Sequence, residues 1–569
     1  MLDKHDHKCD MVSARGYVDF LPLEGLKLTF NVGFDTDNTY STDVRNPFFG
    51  QFADGGGSVD KDFYRSHALN LQQLANYVKS FGKHNLALLA GHEYYMRRSY
   101  TFYGGKQNMY LPDNVEIDGA IKSPKVGSYR SEYGTEGYLA RVQYDYDNKY
   151  FASASYRRDA SSRFAKGHRW GNFWSVGGSW ILSKEAWMES TQSWLDMLKL
   201  KVSYGVQGND AIGSFGYTDR YVLKNANDKP SIEFDRKGNE NITWETSYNL
   251  NAGVEFSLFG ERLSGGLDVY SREVTDMLFW RSVARSGGYG GYYDNIGTMR
   301  NVGVDFNLNG VVLKTDKVDW SLFVNGGHFR NEIMKLPPEW EAVEDGYRDG
   351  SRVYKVGGSL YDRAYAHYLG VNDQGQSTWE IIDPKTNEKT STTDPTKAME
   401  KENRHVYTDL APVLTGGFGT SVNAYGFDLS VTLTYQLGGR VIDGVYQDLM
   451  HGGTAADAGH NWHKDILNSW TPKRTSSDIP MVQYGGKYFN STSDRFLTSR
   501  DYLALDNITL GYSLPSKWLE SLNMSSARIY FVADNVALLS ARQGFDPRFG
   551  GGVGYKAVRS VSGGLRVTF

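Results

Sequence analysis

Cysteine is almost missing from this chain: Cys9 is the only one in 569 residues. That excludes a disulfide scaffold and any cysteine-rich zinc module. Proline is sparse at 14 residues, and no Pro- or Ser-rich linker divides the chain. The several soluble domains that length alone suggests therefore find no boundary. No apolar run reaches the ~18 residues a membrane helix needs. The net charge is only −4, so no global basic field attracts nucleic acid. Residues 1–10, MLDKHDHKCD, have neither an apolar stretch nor a small-residue cleavage site and are no signal peptide. What is present is 63 Gly, 39 Tyr, 28 Phe and 13 Trp, with 40% hydrophobic and 22% charged residues. That mix is too apolar for a disordered chain and suits a large β-structure.

Period-two alternation dominates the sequence. In 427–437, Phe427, Leu429, Val431, Leu433, Tyr435 and Leu437 share one face. Asp428, Ser430, Thr432, Thr434 and Gln436 share the other. Segment 244–258 repeats the pattern, with Trp244, Tyr248, Leu250, Ala252, Val254, Phe256 and Leu258 on its apolar face. Such runs often exceed ten residues, whereas globular strands average about 5–6. A tilted membrane strand needs about 9–11. The expectation is an all-β fold, a transmembrane antiparallel β-barrel with an apolar face to lipid and a polar face to the lumen. Tyr144, Tyr146, Trp170, Trp174, Trp180, Trp244, Trp280 and Trp320 are candidates for aromatic girdles at its two interfaces.

Seventeen strands are expected, at 12–20, 26–35, 62–81, 86–104, 136–146, 149–162, 171–183, 197–208, 243–258, 263–280, 297–313, 317–331, 412–424, 427–440, 495–514, 525–540 and 557–569. Their connections sort by length. Six are short turns, and 184–196 and 515–524 read as partly helical. The alternate connections are mostly long: 36–61, 105–135, 209–242, 281–296, 332–411, 441–494 and 541–556. Outer-membrane barrels have short periplasmic turns and long extracellular loops. The last strand then ends on the periplasmic side and the first begins outside. Closed bacterial barrels have even strand numbers, so 1–569 is expected to be one N-terminally truncated barrel domain. A soluble all-β carbohydrate-binding protein and a gene fragment are the competing readings.

Particular stretches resemble the SusC/RagA family of TonB-dependent outer-membrane transporters. The R-x-D-x-S-S-R-F stretch occupies 157–164, where Arg158, Asp159, Ser161, Ser162, Arg163 and Phe164 stand. The W-G-x-F-x-S-V stretch follows as Trp170, Gly171, Phe173, Ser175 and Val176. Segments 241–279, 356–376, 415–443 and 502–540 are similar to further family stretches. The resemblance implies a 22-stranded barrel filled by an N-terminal plug, of which this chain carries about the last seventeen strands and no plug. It implies an importer of glycan or peptide oligomers in the cell outer membrane, without covalent chemistry or a cofactor. It also implies a SusD-like surface lipoprotein as lid, docking on loops 332–411 and 441–494, and the TonB complex acting through the plug. Outer-membrane lipid surrounds such a barrel. A siderophore or cobalamin receptor on the same barrel is the alternative.

No phosphate-binding loop, nucleophile elbow or zinc-protease motif occurs. Trp280, Tyr289, Tyr292 and Tyr293 are candidates to stack on a sugar or peptide, and Glu255, Asp268 and Arg272 are candidate lumen-facing selectors. The Gly-rich runs 286–295 and 550–555 read as loop turns. His451, Asp457, His460 and His463 cluster in one loop, and His460 and His463 are spaced to share a helical face; without a recognised carboxylate partner they read as loop histidines. His5, His7 and Cys9 superficially make a metal tract, and 373–380 superficially makes a calcium loop but lacks its register. The last strand sets Val561, Leu565, Val567 and Phe569 on one face, which reads as a signal for the barrel-assembly machinery.

Overall fold

The computed structural model describes residues 3–50, 52–112, 114–383, 385–454, 459–483, 489–520, 523–542, 544–549 and 557–569. Seventeen strands join in one sheet. They are β1 (Lys4–Leu23), β2 (Leu26–Arg45), β3 (Ser58–Phe81), β4 (His84–Met109), β5 (Ala120–Tyr146), β6 (Tyr150–Ser161), β7 (Trp170–Ile181), β8 (Leu195–Asn209) and β9 (Glu245–Leu258). They continue as β10 (Leu263–Thr275), β11 (Thr298–Lys314), β12 (Val318–Lys335), β13 (Leu414–Ala424), β14 (Phe427–Leu437), β15 (Tyr502–Ser513), β16 (Ser526–Ser540) and β17 (Ser560–Thr568). Each matches one expected strand.

The chain forms two compact units. The first comprises Met1–Trp180, Val202–Leu250 and Val274–Ile296; the second comprises Ile181–Lys201, Asn251–Glu273 and Gly297–Phe569. In the first, β1 to β7 pair in chain order as an antiparallel meander. In the second, β11 to β17 do the same. The tight turns follow local chemistry. Asp147 and Asn148 both take positive φ, as do Tyr425 and Gly426, the backbone that a two-residue hairpin turn with the right twist demands. The two moderate connections hold the expected helical turns, Leu182–Lys184 with Ala186–Thr191, and Ser516–Leu519.

Two expected long loops are mostly strand. β2 runs to Arg45 and β3 starts at Ser58, while β4 runs to Met109 and β5 starts at Ala120. In a barrel that spans a bilayer, strand beyond the apolar band has water on both faces, so side-chain alternation is not required there. The backbone ladder continues without it, because N–H and C=O groups pair whatever the side chains are. Conversely, β15 starts only at Tyr502; Leu497–Ser499 instead pairs with Arg440–Ile442 in a separate small ladder.

The first unit carries two aromatic rows on its apolar face. Near the short turns, ring centroids follow one another from Phe81 to His84 (5.1 Å), His84 to Tyr146 (5.0 Å), Tyr146 to Tyr150 (6.4 Å) and Tyr150 to Trp180 (6.1 Å). Higher up, His92 meets Tyr138 at 4.8 Å and Tyr138 meets Trp170 at 6.1 Å. Tyr138 and Tyr146 stand eight residues apart, about 27 Å of strand. At the usual tilt this is roughly 20 Å of depth, close to the height of a barrel's apolar band. Val142 and Val176, exposed between the rows, are what such a band presents. Trp244 departs from the girdle expectation. It precedes β9, so the strand's alternation does not reach it, and it packs on Phe164 and Phe173.

Candidate functional site

The polar face of the first unit is a connected row of side chains. Asn31 donates to Gln72 at 3.2 Å, Gln72 to Glu93 at 2.5 Å, and Arg157 bridges Glu93 (2.6 Å) and Asp159 (2.8 Å). A Cβ on Gly137 would stand 2.1 Å from Asp159, so glycine there lets the carboxylate lie flat against β5. The R-x-D-x-S-S-R-F stretch is thereby divided between faces. Counted by its spacing, its first arginine is Arg157, which joins the polar row with Asp159, whereas the intervening Arg158 lies over Trp170 at 5.2 Å. Ser161 donates to Asp210 at 2.6 Å, Arg163 donates to the same carboxylate at 3.3 Å, and Phe164 is fully buried beside Ile212 and Ile242. The stretch fixes the connection after β6.

The four candidate aromatics do not form one platform. Trp280 and Tyr293 are opposed in the small ladder of Leu278–Ser282 with Gly291–Asn295 and meet edge to face at 5.2 Å. Tyr292 is opposed to Arg281. Successive strand residues alternate faces, so Tyr292 is turned away from Tyr293. Tyr293 packs against the Phe164 core, and Tyr289 meets Phe234 of a separate hairpin at 5.9 Å. Of the four, Trp280 combines a large exposed ring (38%) with a fixed partner.

In the second unit, Glu255 and Asp268 do come together, around two lysines that the alternation did not single out. Lys199 lies 3.0 Å from Glu255, and Lys201 bridges Glu255 and Asp268 at 2.9 Å each. Gly253 makes room, since a Cβ there would meet Asp268 at 2.2 Å and Lys201 at 2.6 Å. Arg272 stands on the same face of β10, four residues beyond Asp268.

The two longest connections fold into each other. Asp494 takes His367 Nδ1 at 2.6 Å, the Tyr368 backbone N–H at 2.8 Å and the Tyr407 hydroxyl at 2.7 Å. Burial, reinforced by the Asp494 hydrogen bond, pushes the Tyr407 phenol above its ordinary range. The His367 and His405 rings face each other at 5.0 Å, and His405 Nε2 lies 2.7 Å from Glu380. Burial works against the Glu380 charge, yet hydrogen bonds from Lys389 and His405 hold its carboxyl below the usual range. Arg495 is enclosed by Tyr368, Phe489 and Phe496, and desolvation lowers its pKa. Backbone bonds add to the union: Met481 N–H donates to Gly375. Two arginines of the segment after β16 tie it down, Arg542 to the second of these connections and Arg548 to β15. Arg542 lies 3.5 Å over the Tyr446 ring and pairs with buried Asp443 at 3.2 Å. Arg548 pairs at 2.8 Å with Asp506, the residue left over at the bulge of β15.

The histidine cluster is structural. His451 is buried and stacks on Trp462 at 4.8 Å, and His463 Nδ1 caps the short turn Lys464–Asn468 by accepting from Asp465 N–H. His460 precedes that turn, so the two do not share a helical face; Asp457 and the run 550–555 lie outside the described residues. His5, His7 and Cys9 alternate along β1 and face Asp43, Ser41 and Asp37. Residues 373–380 form a turn held by Asn372, whose Glu380 is committed to His405. On the last strand, Leu565 opposes Ile529, Val567 opposes Ala527, and Phe569 is 83% exposed.

Three comparisons bear on this arrangement. The family model of the TonB dependent receptor-like β-barrel matches residues 10–536. TonB-dependent receptor P3 of Formosa agariphila is 25% identical over 563 residues, covering 95% of this chain and 55% of that protein. TonB-dependent receptor SusC of Bacteroides thetaiotaomicron is 24% identical over 555 residues, covering 94% and 52%. The chain thus spans about half the length of the curated relatives it matches. Among solved structures, the RagAB peptide transporter superposes with a TM-score of 0.86 at 25% identity, covering 100% of this chain and 63% of that one.

Proposed function

We propose, from the premise that this chain belongs to the TonB-dependent receptor β-barrel family, that it forms most of the barrel of an outer-membrane importer of nutrient oligomers. The cargo class is glycan or peptide. The observation that carries the reading is the likeness, over the entire chain, to the RagAB peptide transporter, supported by similarity to SusC. In this reading the short turns face the periplasm and the long connections face outward. The polar faces line the passage, where Glu255, Asp268 and Arg272, with Lys199 and Lys201, meet cargo by charge and hydrogen bonding. Trp280 offers its exposed ring to a sugar or peptide group, with Tyr289, Tyr292 and Tyr293 holding the surrounding loops in shape. The folded body of 332–411 and 441–494 is the docking face for a SusD-like lipoprotein. The TonB complex acts through the plug of the whole protein and draws on the inner-membrane proton gradient. The apolar face of β17, with Leu565, Val567 and Phe569, is read by the barrel-assembly machinery.

Uptake of labelled glycan and peptide oligomers by cells with and without this gene, each with and without TonB, tests the reading. Loss of uptake of one cargo class in both deletions is the expected result; unchanged uptake of every oligomer overturns it. For assembly, deleting Phe569 should lower the amount of folded protein in the outer membrane, and a normal level would remove that role.

A further inference from the structure

In the first unit, register gives the composition of the apolar face above its belt. Directly opposed residues of an antiparallel pair share a face. Phe34, Leu69, Met96 and Gly134 form one cross-strand row over β2 to β5. The next row toward the long connections is Thr36, His67, Arg98 and Glu132, and the one beyond it is Asn38, Arg65, Tyr100 and Arg130. Apolar residues therefore give way, within two rows, to three arginines and a histidine on the face that meets lipid below.

The charges there are unbalanced. Arg98 pairs with Glu132 at 3.2 Å. Arg65 and Arg130 are exposed and have no ion pair among the described residues. Asp10, the remaining acid of that row, lies two strands from Arg65, opposite Asn38. Arg65 and Arg130 flank Tyr100 from the two neighbouring strands, so their backbones stand about 10 Å apart. The Arg130 guanidinium sits 5.7 Å from the Tyr100 ring, which holds it near the sheet. Lys61, further up the same face, is neutralised by Glu116.

The geometry points to Arg65, Arg98 and Arg130 as a binding site for the phosphorylated headgroup of an outer-leaflet glycolipid, whose acyl chains lie on the apolar rows beneath. This rests on the reading that the long connections face outward. Guanidinium groups are suited to phosphate because their planar donors engage two oxygens at once. Cations at the edge of a bilayer attract anionic headgroups, and salt weakens that attraction. Apolar rows below, an aromatic ring at the boundary and unpaired guanidiniums above match a lipid that is greasy at one end and anionic at the other. A soluble anion would have no use for the rows beneath.

The test uses the receptor extracted in detergent from its own outer membrane and transferred to phosphatidylcholine vesicles. These carry lipid A, enzymatically dephosphorylated lipid A, or neither with inorganic phosphate added. Expected are lipid A retention that falls about tenfold in Arg65→Gln/Arg130→Gln, partial recovery in Arg65→Lys/Arg130→Lys, which restores the charge without the planar donors, and weakening with salt. Equal retention of lipid A and its dephosphorylated form overturns the site, as does full retention by the glutamine variant. Competition by millimolar inorganic phosphate alone would replace the lipid with a free anion and also overturn it. The fractionation that precedes transfer separates the two claims, because protein absent from the outer membrane defeats the orientation itself.

Discussion

The wall of the second unit and the body formed by its two longest connections solve the same problem in opposite ways. Along β14 every residue but the two ends is half-exposed, and none is buried. The strand is held by ladders to β13 and β15, and in the importer proposed above its apolar face is covered by solvent of another kind, lipid. In hydrocarbon an unpaired backbone group costs several kcal/mol, so the ladder is compulsory. The connections must instead make an interior of their own. Met450 and Phe496 are fully or almost fully buried there, together with Phe489 and Ile479, and Trp379, Ala366 and Ala398 form a second core. Its polar centre, Asp494, joins His367, 127 residues away in sequence. The wall is local and repetitive; the connection body is long-range and singular.

That contrast can be broken from either side. The largest effect is expected from Asp494→Ala, which strands three donors at once; each orphaned buried group costs about 1–3 kcal/mol. Hydrogen exchange should rise sharply across 332–411 and 441–494 while β13 to β17 stay protected. Equal loosening of the wall would show that the two regions are one cooperative whole. Next comes Val431→Arg, on the apolar face at the middle of β14, expected to cost about 2–4 kcal/mol in folding into bilayers. Thr432→Arg, one residue along and on the polar face, should cost far less. Equal costs would remove lipid as the partner of that face.

The smallest effect is expected from pH. The folded-state pKa of Glu380 is depressed, so its contribution is present above the unfolded value, about 4.3. It is lost as pH falls through the lower folded value. Proteolysis of the connection body should therefore increase only below about pH 4, and Glu380→Gln should flatten that dependence. A wall that loosens in parallel would count against the separation.

Legibility followed the same division. All seventeen strands were readable because one face of each must be apolar over a fixed depth, and that requirement writes a period of two into the sequence. Where β2 to β5 leave the band the requirement lapses, and residues such as Lys122 and Lys125 on β5 carry no sign that the ladder continues. Of the candidate site residues, alternation grouped Glu255 with Asp268 on polar faces. It could not show that Lys199 and Lys201 neutralise them, because those contacts are between strands. Tyr292 and Tyr293 looked alike as neighbours in a Tyr-rich run, yet adjacent strand positions face opposite ways. Nothing in the sequence near Asp494 marks it as a hub.

By itself, then, the sequence determined the strand number, the sidedness of each strand and the sorting of turns from loops, since these depend on residues close together in the chain. The tertiary structure alone decided which charges meet, which aromatics are buried and how the two longest connections close on each other. Those outcomes depend on residues tens to more than a hundred positions apart, brought together by a fold whose register no local pattern records.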